Sequence, residues 1–420
     1  RFPMERANGI QTIHTCHALA RAGVDVQLAV RRSDDRTDRE CLEFYGLPEH
    51  PNLKLHRIKT PFVESLVGQL SFAVRNLARC RPGRFNALYT RDLLLADLLL
   101  RVRLWHRLPV IYEAHTSAAT FAEEAPLLYS TFPAPTRGKL ERLKRRETRV
   151  YRGVSRLVTI TKALSCFLEE RYGPLAPVEV IPDGARVPLE VPPLRDVTAG
   201  EGMHITYIGQ LYPWKGVDTV LFAMKDLPEH ELTIVGGLPP ETDLERMRKL
   251  ARDLEIAERV TFRGYVPPTK LDEERRAADV FVVPLADSTM SRHFTSPLKL
   301  FEAMAAGRPI VASDLPSIRE VLTDGSNALL VPPGDPGALA KAIKRLASDR
   351  ELSADLARKA GKVARDVKQA GEEVRRAVHG KNDAPSSDDG NADLGACGGV
   401  ASSAVAVAHG LGCRVCCGVC

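Results

Sequence analysis

The stretch "FTSPLKLFEAMAAGRPIVAS", Phe294 to Ser313, collects the means of holding an anion. Ser296 reads as a helix N-cap, because its hydroxyl can accept a bond from an orphan N–H of the first turn. Pro297 suits the first helical position, where no N–H is needed. With Leu298 they open a helix whose start gathers free N–H groups and positive dipole at one point. Gly307 is placed to end that helix in a left-handed conformation, with Pro309 just beyond, and Glu302 is its one acid. A second group, "YIGQLYPWKG", puts Lys215 in a turn after the strand-like "ITYIG", where ligands of parallel sheets sit. Lys215 can supply a phosphate with a point charge; the simpler reading is a solvated turn lysine. His115, in "YEAHT", follows another strand end, although a lone histidine is more often structural. Gly9, in "ANGIQT" at a helix start, lets backbone come close to a ligand.

These positions need a scaffold, and the sequence shows one. "VDVQLAV" follows the helix-patterned "GIQTIHTCHALARAG", and "NALYT", "LPVIYEA", "RLVTIT" and "VEVIP" are further short strands. After the Pro- and Gly-rich "PPLRDVTAGEG" the pattern restarts with "HITYIG", "ELTIVGG", "RVTFRGY", "VFVVPL", "PIVAS" and "ALLVP". Short strands alternating with helices imply parallel sheets covered on both faces. Two such series, joined near residues 188–202, imply an α/β protein of two doubly wound, Rossmann-like domains facing across a cleft.

The bulk numbers agree with this and exclude other classes. At 420 residues two domains are the default, and 44% hydrophobic with 27% charged residues is ordinary for a globular chain. A net charge of +6 is too modest for a dedicated nucleic-acid binder but suits an acidic ligand. No apolar run reaches membrane-spanning length; "LLLADLLLRVRLW" is broken by Asp97, Arg101 and Arg103. Cys16, Cys41, Cys80 and Cys166 are scattered singly, as reduced cytosolic thiols are. "CRVCCGVC" crowds its sulfurs too closely for a typical zinc fold. Arg137 to Arg156 holds nine basic and two acidic residues, either a solvated helix face or a surface for anionic lipid or acceptor. The expected location is cytoplasmic, with peripheral contact at the inner face of the membrane under the second of those readings. From Asn382 onward the Ser, Asp, Gly, Ala and Cys composition offers no periodic core, and disorder is expected.

Taken in order, "YIGQLYPWKGVDTVL", "ELTIVGG", "VTFRGYVP", "AADVFVVPL", "SPLKLFEAMAAGRPIVASDLPSIREVL" and "DGSNALLVPPGDPGALAKAI" resemble the C-terminal half of a family 4 glycosyltransferase of GT-B architecture. "ANGIQT", "VIYEAHT", "LVTITKAL" and "VIPDGA" resemble its N-terminal half more weakly. The resemblance implies a nucleotide-sugar donor, a hydroxyl acceptor and retention of anomeric configuration. It implies that Glu302 holds the donor ribose, against the alternative of an i,i+3 pair with Lys299. It implies that Gly264, Tyr265 and Val266 meet the base, and that His115 faces the transferred sugar. A leaving diphosphate needs its growing charge stabilised. No Asp-x-Asp occurs in the chain to hold a metal, so no metal and no cofactor are expected, and Lys215 with the helix start at Ser296–Leu298 must serve.

The chain departs from the family pattern in places. The usual pair of glutamates separated by seven residues is incomplete, because Phe294 stands eight before Glu302. Gln210 takes the place where an arginine commonly follows the glycine. No first strand precedes "ANGIQT", and "ARDVKQAGEEVRRAVHG" gives only a helical remnant, as a copy truncated or disrupted at both ends would. The expected layout is an acceptor-side domain over 1–190, a donor domain over 202–365, the remnant over 366–381 and a structureless tail over 382–420. The competing reading is a non-catalytic GT-B module that binds nucleotide or glycan, favoured by Phe294. A dinucleotide oxidoreductase is remote, since no Gly-x-Gly-x-x-Gly follows a strand.

Overall fold

In the computed structural model all residues are described except 1, 5–6, 33, 61–65, 81–82, 129–132, 183–192, 196–201, 238–242, 268–269, 296–297, 380–413 and 419–420. The chain divides into two compact units, residues 1–182 with 369–420, and residues 183–368. The boundary between the units falls at 182/183, and most of the linker expected near 188–202 lies outside the described residues. Of the region 366–381, expected as a helical remnant, the described residues 366–379 belong to the helix Arg350–His379, and the boundary between the units falls within it.

The second unit is a six-stranded parallel sheet. Its strands are β7 (His204–Ile208), β8 (Glu231–Val235), β9 (Val260–Gly264), β10 (Val280–Val283), β11 (Ile310–Ser313) and β12 (Leu329–Val331). They lie in the order β12-β11-β10-β7-β8-β9. The order reverses between β7 and β10, which is where doubly wound sheets open a ligand crevice at their carboxyl ends. Strand alternation feeds both faces. Val280 and Val282 join Ile205, Val220 and Ile343, while Phe281 and Val283 join Leu300, Met304 and Ile310. Each such side chain contributes about 1.5–3 kcal/mol on burial.

The first unit holds β1 (Asp25–Arg31), β2 (Leu53–Ile58), β3 (Ala87–Thr90), β4 (Val110–Ala114), β5 (Arg156–Thr159) and β6 (Val178–Val180). A seventh strand, β13 (Arg414–Gly418), lies within the region expected to be structureless. The sheet order is β2-β1-β13-β3-β4-β5-β6. β13 runs parallel to both neighbours, with Val415 opposite Val26 on one side and Ala87 on the other. It thus takes the central place that β7 holds in the second sheet. The expectation of disorder over 382–420 is corrected for these five residues. β1 and β3 do not pair with each other, and β13 satisfies the facing edge of each.

Among the described residues no helix is long and apolar enough to cross a membrane.

Candidate functional site

In the second unit the reversal point is built from tight turns. β7 ends into Gly209 and Gln210, and the Tyr207 hydroxyl donates to the Gln210 carbonyl at 2.6 Å. The chain then makes a single 3-10 turn, Pro213–Lys215, closed by Gly216 at φ 65°. Glycine is required there, because a Cβ would lie 1.9 Å from the Pro284 carbonyl oxygen. The same turn is tied to the segment after β10: Ala286 N donates to Trp214 O at 3.0 Å, and Ser291 Oγ to the same oxygen at 3.1 Å. Lys215 is thereby fixed at the reversal point. Its side chain is half-buried, and burial pushes its pKa down to about 8. It makes no ion pair with a carboxylate among the described residues. In the same turn, the buried side-chain oxygen of Gln210 has no hydrogen-bond partner among those residues. Gly236 completes the edge: its N donates to Gly264 O at 2.8 Å, and a Cβ there would meet Gly209 O at 1.7 Å. The ends of β7, β8 and β9 are therefore packed backbone against backbone, which requires glycine at 236. Gly264 lies at φ 67° with open space where a Cβ would be, and Tyr265 and Val266 follow it half-buried.

Glu302 lies on the helix Leu298–Ala305, whose Leu300, Phe301, Ala303 and Met304 are buried and whose end is Gly307 at φ 63°. Ser296 and Pro297 lie outside the described residues, and Leu298 is placed by its backbone alone. Glu302 Oε2 is 3.0 Å from Lys299 Nζ and 3.0 Å from an Arg275 guanidinium nitrogen. The i,i+3 pair weighed as the alternative to a ribose contact is present, and sequence reading had no sign of Arg275. Burial works to raise the Glu302 pKa, but Lys299 and Arg275 outweigh it and hold the carboxyl below its ordinary value. Phe294, in the place of the family's other glutamate, is buried at 6% exposure.

In the first unit His115 is one member of a buried polar network. Its Nε2 is 2.7 Å from Glu113 Oε1. Arg91 clamps the same carboxylate with two bonds, Nε to Oε2 at 2.9 Å and a terminal nitrogen to Oε1 at 2.6 Å, and the Tyr89 hydroxyl donates to Oε2 as well. Burial would raise the Glu113 pKa, but Arg91 and then His115 overcome it and keep the group ionised far into acid. Arg91 also donates to Gln11 Oε1 at 3.2 Å and Thr12 Oγ1 at 3.1 Å, both on the helix Ala7–Arg21. Gly9 is in the first turn of that helix, where a Cβ would lie 2.1 Å from the Met4 side chain. What comes close to Gly9 here is Met4. Sequence reading singled out His115 but missed Arg91 and Glu113. The signal was available in part: Glu113 lies in β4 two residues before His115, an acid and a base close in sequence at a strand end.

The loop after His115 is held from below. Glu147, fully buried on the helix Arg137–Gly153, accepts from Ala118 N at 2.5 Å, Ala119 N at 3.3 Å and Ser117 Oγ at 3.2 Å. A carboxylate there satisfies orphan donors at the start of the helix Ala118–Leu128. The basic segment is accordingly part scaffold. Lys144 pairs with Glu123 at 3.0 Å, Arg146 and Arg149 with Asp97, and Arg152 donates to Tyr172 O. Arg137, Lys139 and Arg142 point out and make no ion pair among the described residues.

Residues 9–187 match the family model described as Glycosyltransferase Family 4, and residues 202–349 the one described as Glycosyl transferases group 1. The D-inositol 3-phosphate glycosyltransferase of Acidothermus cellulolyticus is 30% identical over 302 residues, which are 68% of this chain. The chain spans 64% of that relative, less than two thirds of its length. Among solved structures, sucrose-phosphate synthase from Thermosynechococcus elongatus is similar at TM-score 0.70 and 22% identity, over 89% of this chain and 94% of that one. The Anabaena protein HepE in complex with UDP-glucose is similar at TM-score 0.61 and 16% identity, over 82% of this chain and 95% of that one.

Proposed function

The chain belongs to the family 4, group 1 glycosyltransferases of GT-B fold, and from that premise we propose that it moves a sugar from a nucleotide-sugar donor to a hydroxyl acceptor without a metal ion and with retention of configuration. The observation that carries the reading is Lys215, a half-buried cation with no carboxylate partner among the described residues, at the reversal point of the second sheet. A lysine kept there against its desolvation cost is suited to the charge that grows on a departing diphosphate. Gln210 offers an unpartnered amide oxygen that can accept from a donor hydroxyl, and the turn at Gly264, Tyr265 and Val266 offers backbone to the base. Glu302, kept ionised by Lys299 and Arg275, can accept from the ribose hydroxyls. His115 takes the transferred sugar, oriented by the carboxylate beneath it. Arg137, Lys139 and Arg142 are the residues to meet an anionic acceptor or lipid.

A thermal-shift screen of UDP, GDP, ADP and their common sugars, followed by turnover with the best donor, tests this. Uridine donors come first, since the Anabaena protein of the same fold is described with UDP-glucose. A protein stabilised by none of them is not a nucleotide-sugar enzyme. The second reading, a GT-B module that binds nucleotide without turnover, is favoured by Phe294 alone, a buried ring where the family has a carboxylate. Diphosphate binding without transfer or donor hydrolysis would decide for it.

A further inference from the structure

A cavity of about 340 Å³ opens at the outer edge of the first sheet, and its polar lining holds four arginines, Arg32, Arg36, Arg57 and Arg79, with His56 and one acid, Asp38. Its walls come from the end of β1, from β2 and from the end of the helix Leu66–Leu77. Three of these arginines are partly neutralised. Arg57 is 2.8 Å from Asp34, Arg36 is 3.5 Å from the same residue, and Arg32 is 2.5 Å from Asp35. Arg79 has no carboxylate among the described residues; its guanidinium meets His56 Nδ1 at 2.6 Å. Arg57 is 8% exposed; its terminal nitrogens donate to Arg36 O and to Asp34, while its Nε is buried with no hydrogen-bond partner among those residues. His56 is pushed down to about 4, first by burial and then by Arg79, Arg84 and Lys54, so it adds no charge at neutral pH but reports the cationic field around it. A buried, unpartnered donor beside an uncompensated guanidinium in an open cavity lacks its acceptor.

We propose that this cavity binds a phosphate-class anion, a phosphomonoester or diphosphate, with Arg57 and Arg79 as its principal donors. The site is separate from the one at His115. Three strand spacings lie between β1 and β4, about 14 Å, more than a sugar phosphate spans. It is separate from Lys215 as well, which belongs to the other unit. The anion comes either from a soluble phosphate or from the headgroup of a phospholipid.

Titration calorimetry with inorganic pyrophosphate, and co-sedimentation with phosphatidylcholine vesicles with and without phosphatidylglycerol, test the site on the full chain. A Lys215→Ala background removes the rival phosphate cation. In that background pyrophosphate should still bind, Arg79→Gln should weaken it at least tenfold, and Arg79→Lys should restore part of the loss. The exposed Arg36→Gln provides a second variant should Arg79→Gln fold poorly, with a loss of at least threefold expected. The His56 ring should titrate at higher pH with pyrophosphate present. Vesicle binding that needs phosphatidylglycerol and falls with Arg79→Gln, without pyrophosphate binding, assigns the anion to a lipid headgroup. Pyrophosphate binding that vanishes with Lys215→Ala and ignores Arg79→Gln overturns the proposal. So does binding of neither probe, or vesicle binding indifferent to Arg79→Gln.

Discussion

Replacing Lys215 by methionine should make the second unit more stable and a poorer binder of diphosphate. The lysine sits in the fold with its pKa lowered from 10.5 to about 8 by burial alone. At 1.36 kcal/mol per pH unit that difference amounts to about 3 kcal/mol of cost to the charged form, or about 2 kcal/mol after allowing for the part still in water. Methionine fills similar volume without the charge. The sign follows from proton counting. Below pH 8 the lysine is protonated in both folded and unfolded chains, and the full cost applies. Between about 8 and 10.5 the folded chain releases its proton first, so the unfolded chain binds more protons and stability rises with pH. Above 10.5 both are neutral and the cost is gone. Urea unfolding followed by tryptophan fluorescence suits the test, because Trp214 adjoins the site and is 8% exposed. At pH 7 the methionine variant should unfold at higher urea, and the gap should close as pH rises through 9 and 10. UDP affinity should fall by on the order of 1.5–3 kcal/mol, the value of a charged hydrogen bond, with uridine affinity little changed. A methionine variant less stable than its parent at pH 7, or a gap that ignores pH, would refute the reasoning.

Glu302→Gln should weaken ribonucleotides more than their 2′-deoxy analogues and cost about 1–3 kcal/mol of stability, since Arg275 and Lys299 lose their shared carboxylate; undiminished discrimination by the variant would leave Glu302 as an ion-pair residue only. His115→Ala should lower turnover at least about tenfold, roughly 1.4 kcal/mol of barrier, with diphosphate affinity intact, as competition assays would show. Glu113→Gln should be more damaging to the fold than His115→Ala, because Arg91 would be left buried without its counter-ion, at about 3–5 kcal/mol in denaturant unfolding. Millimolar EDTA should leave any transferase activity unchanged; activity lost to chelator and restored by manganese would reveal a metal route.

Local patterning made most strands legible. "HITYIG", "VFVVPL" and "PIVAS" are short apolar runs bounded by turns, and β7, β10 and β11 lie within them. β2 is harder to read: its "LKLHRI" is short and half basic, with Lys54, His56 and Arg57, as an edge strand can be. β13 could not be read at all. Five residues in a Gly-, Ala- and Cys-rich context carry no strand signal of their own, and what orders them is a pair of edges far away in sequence. At the site, Lys215 was legible because a strand end and a glycine turn are local features. The Arg91–Glu113 clamp and the Arg275–Glu302 pair were not, since each joins residues on different elements.

Asp25 pairs with Arg414 across about 390 residues of chain. During synthesis at ~5–20 residues per second, the edges of β1 and β3 stay open for roughly 20–70 s after β3 has left the ribosome. The second unit, encoded between them, can fold in that interval while the first cannot close its sheet. Two parallel edges left open side by side are a template for any extended segment nearby, including the same strand from another nascent chain on the same message. Yield in a cell should therefore depend on elongation speed and on chaperones that shield strand edges, and cotranslational folding of this protein should proceed from its second domain to its first.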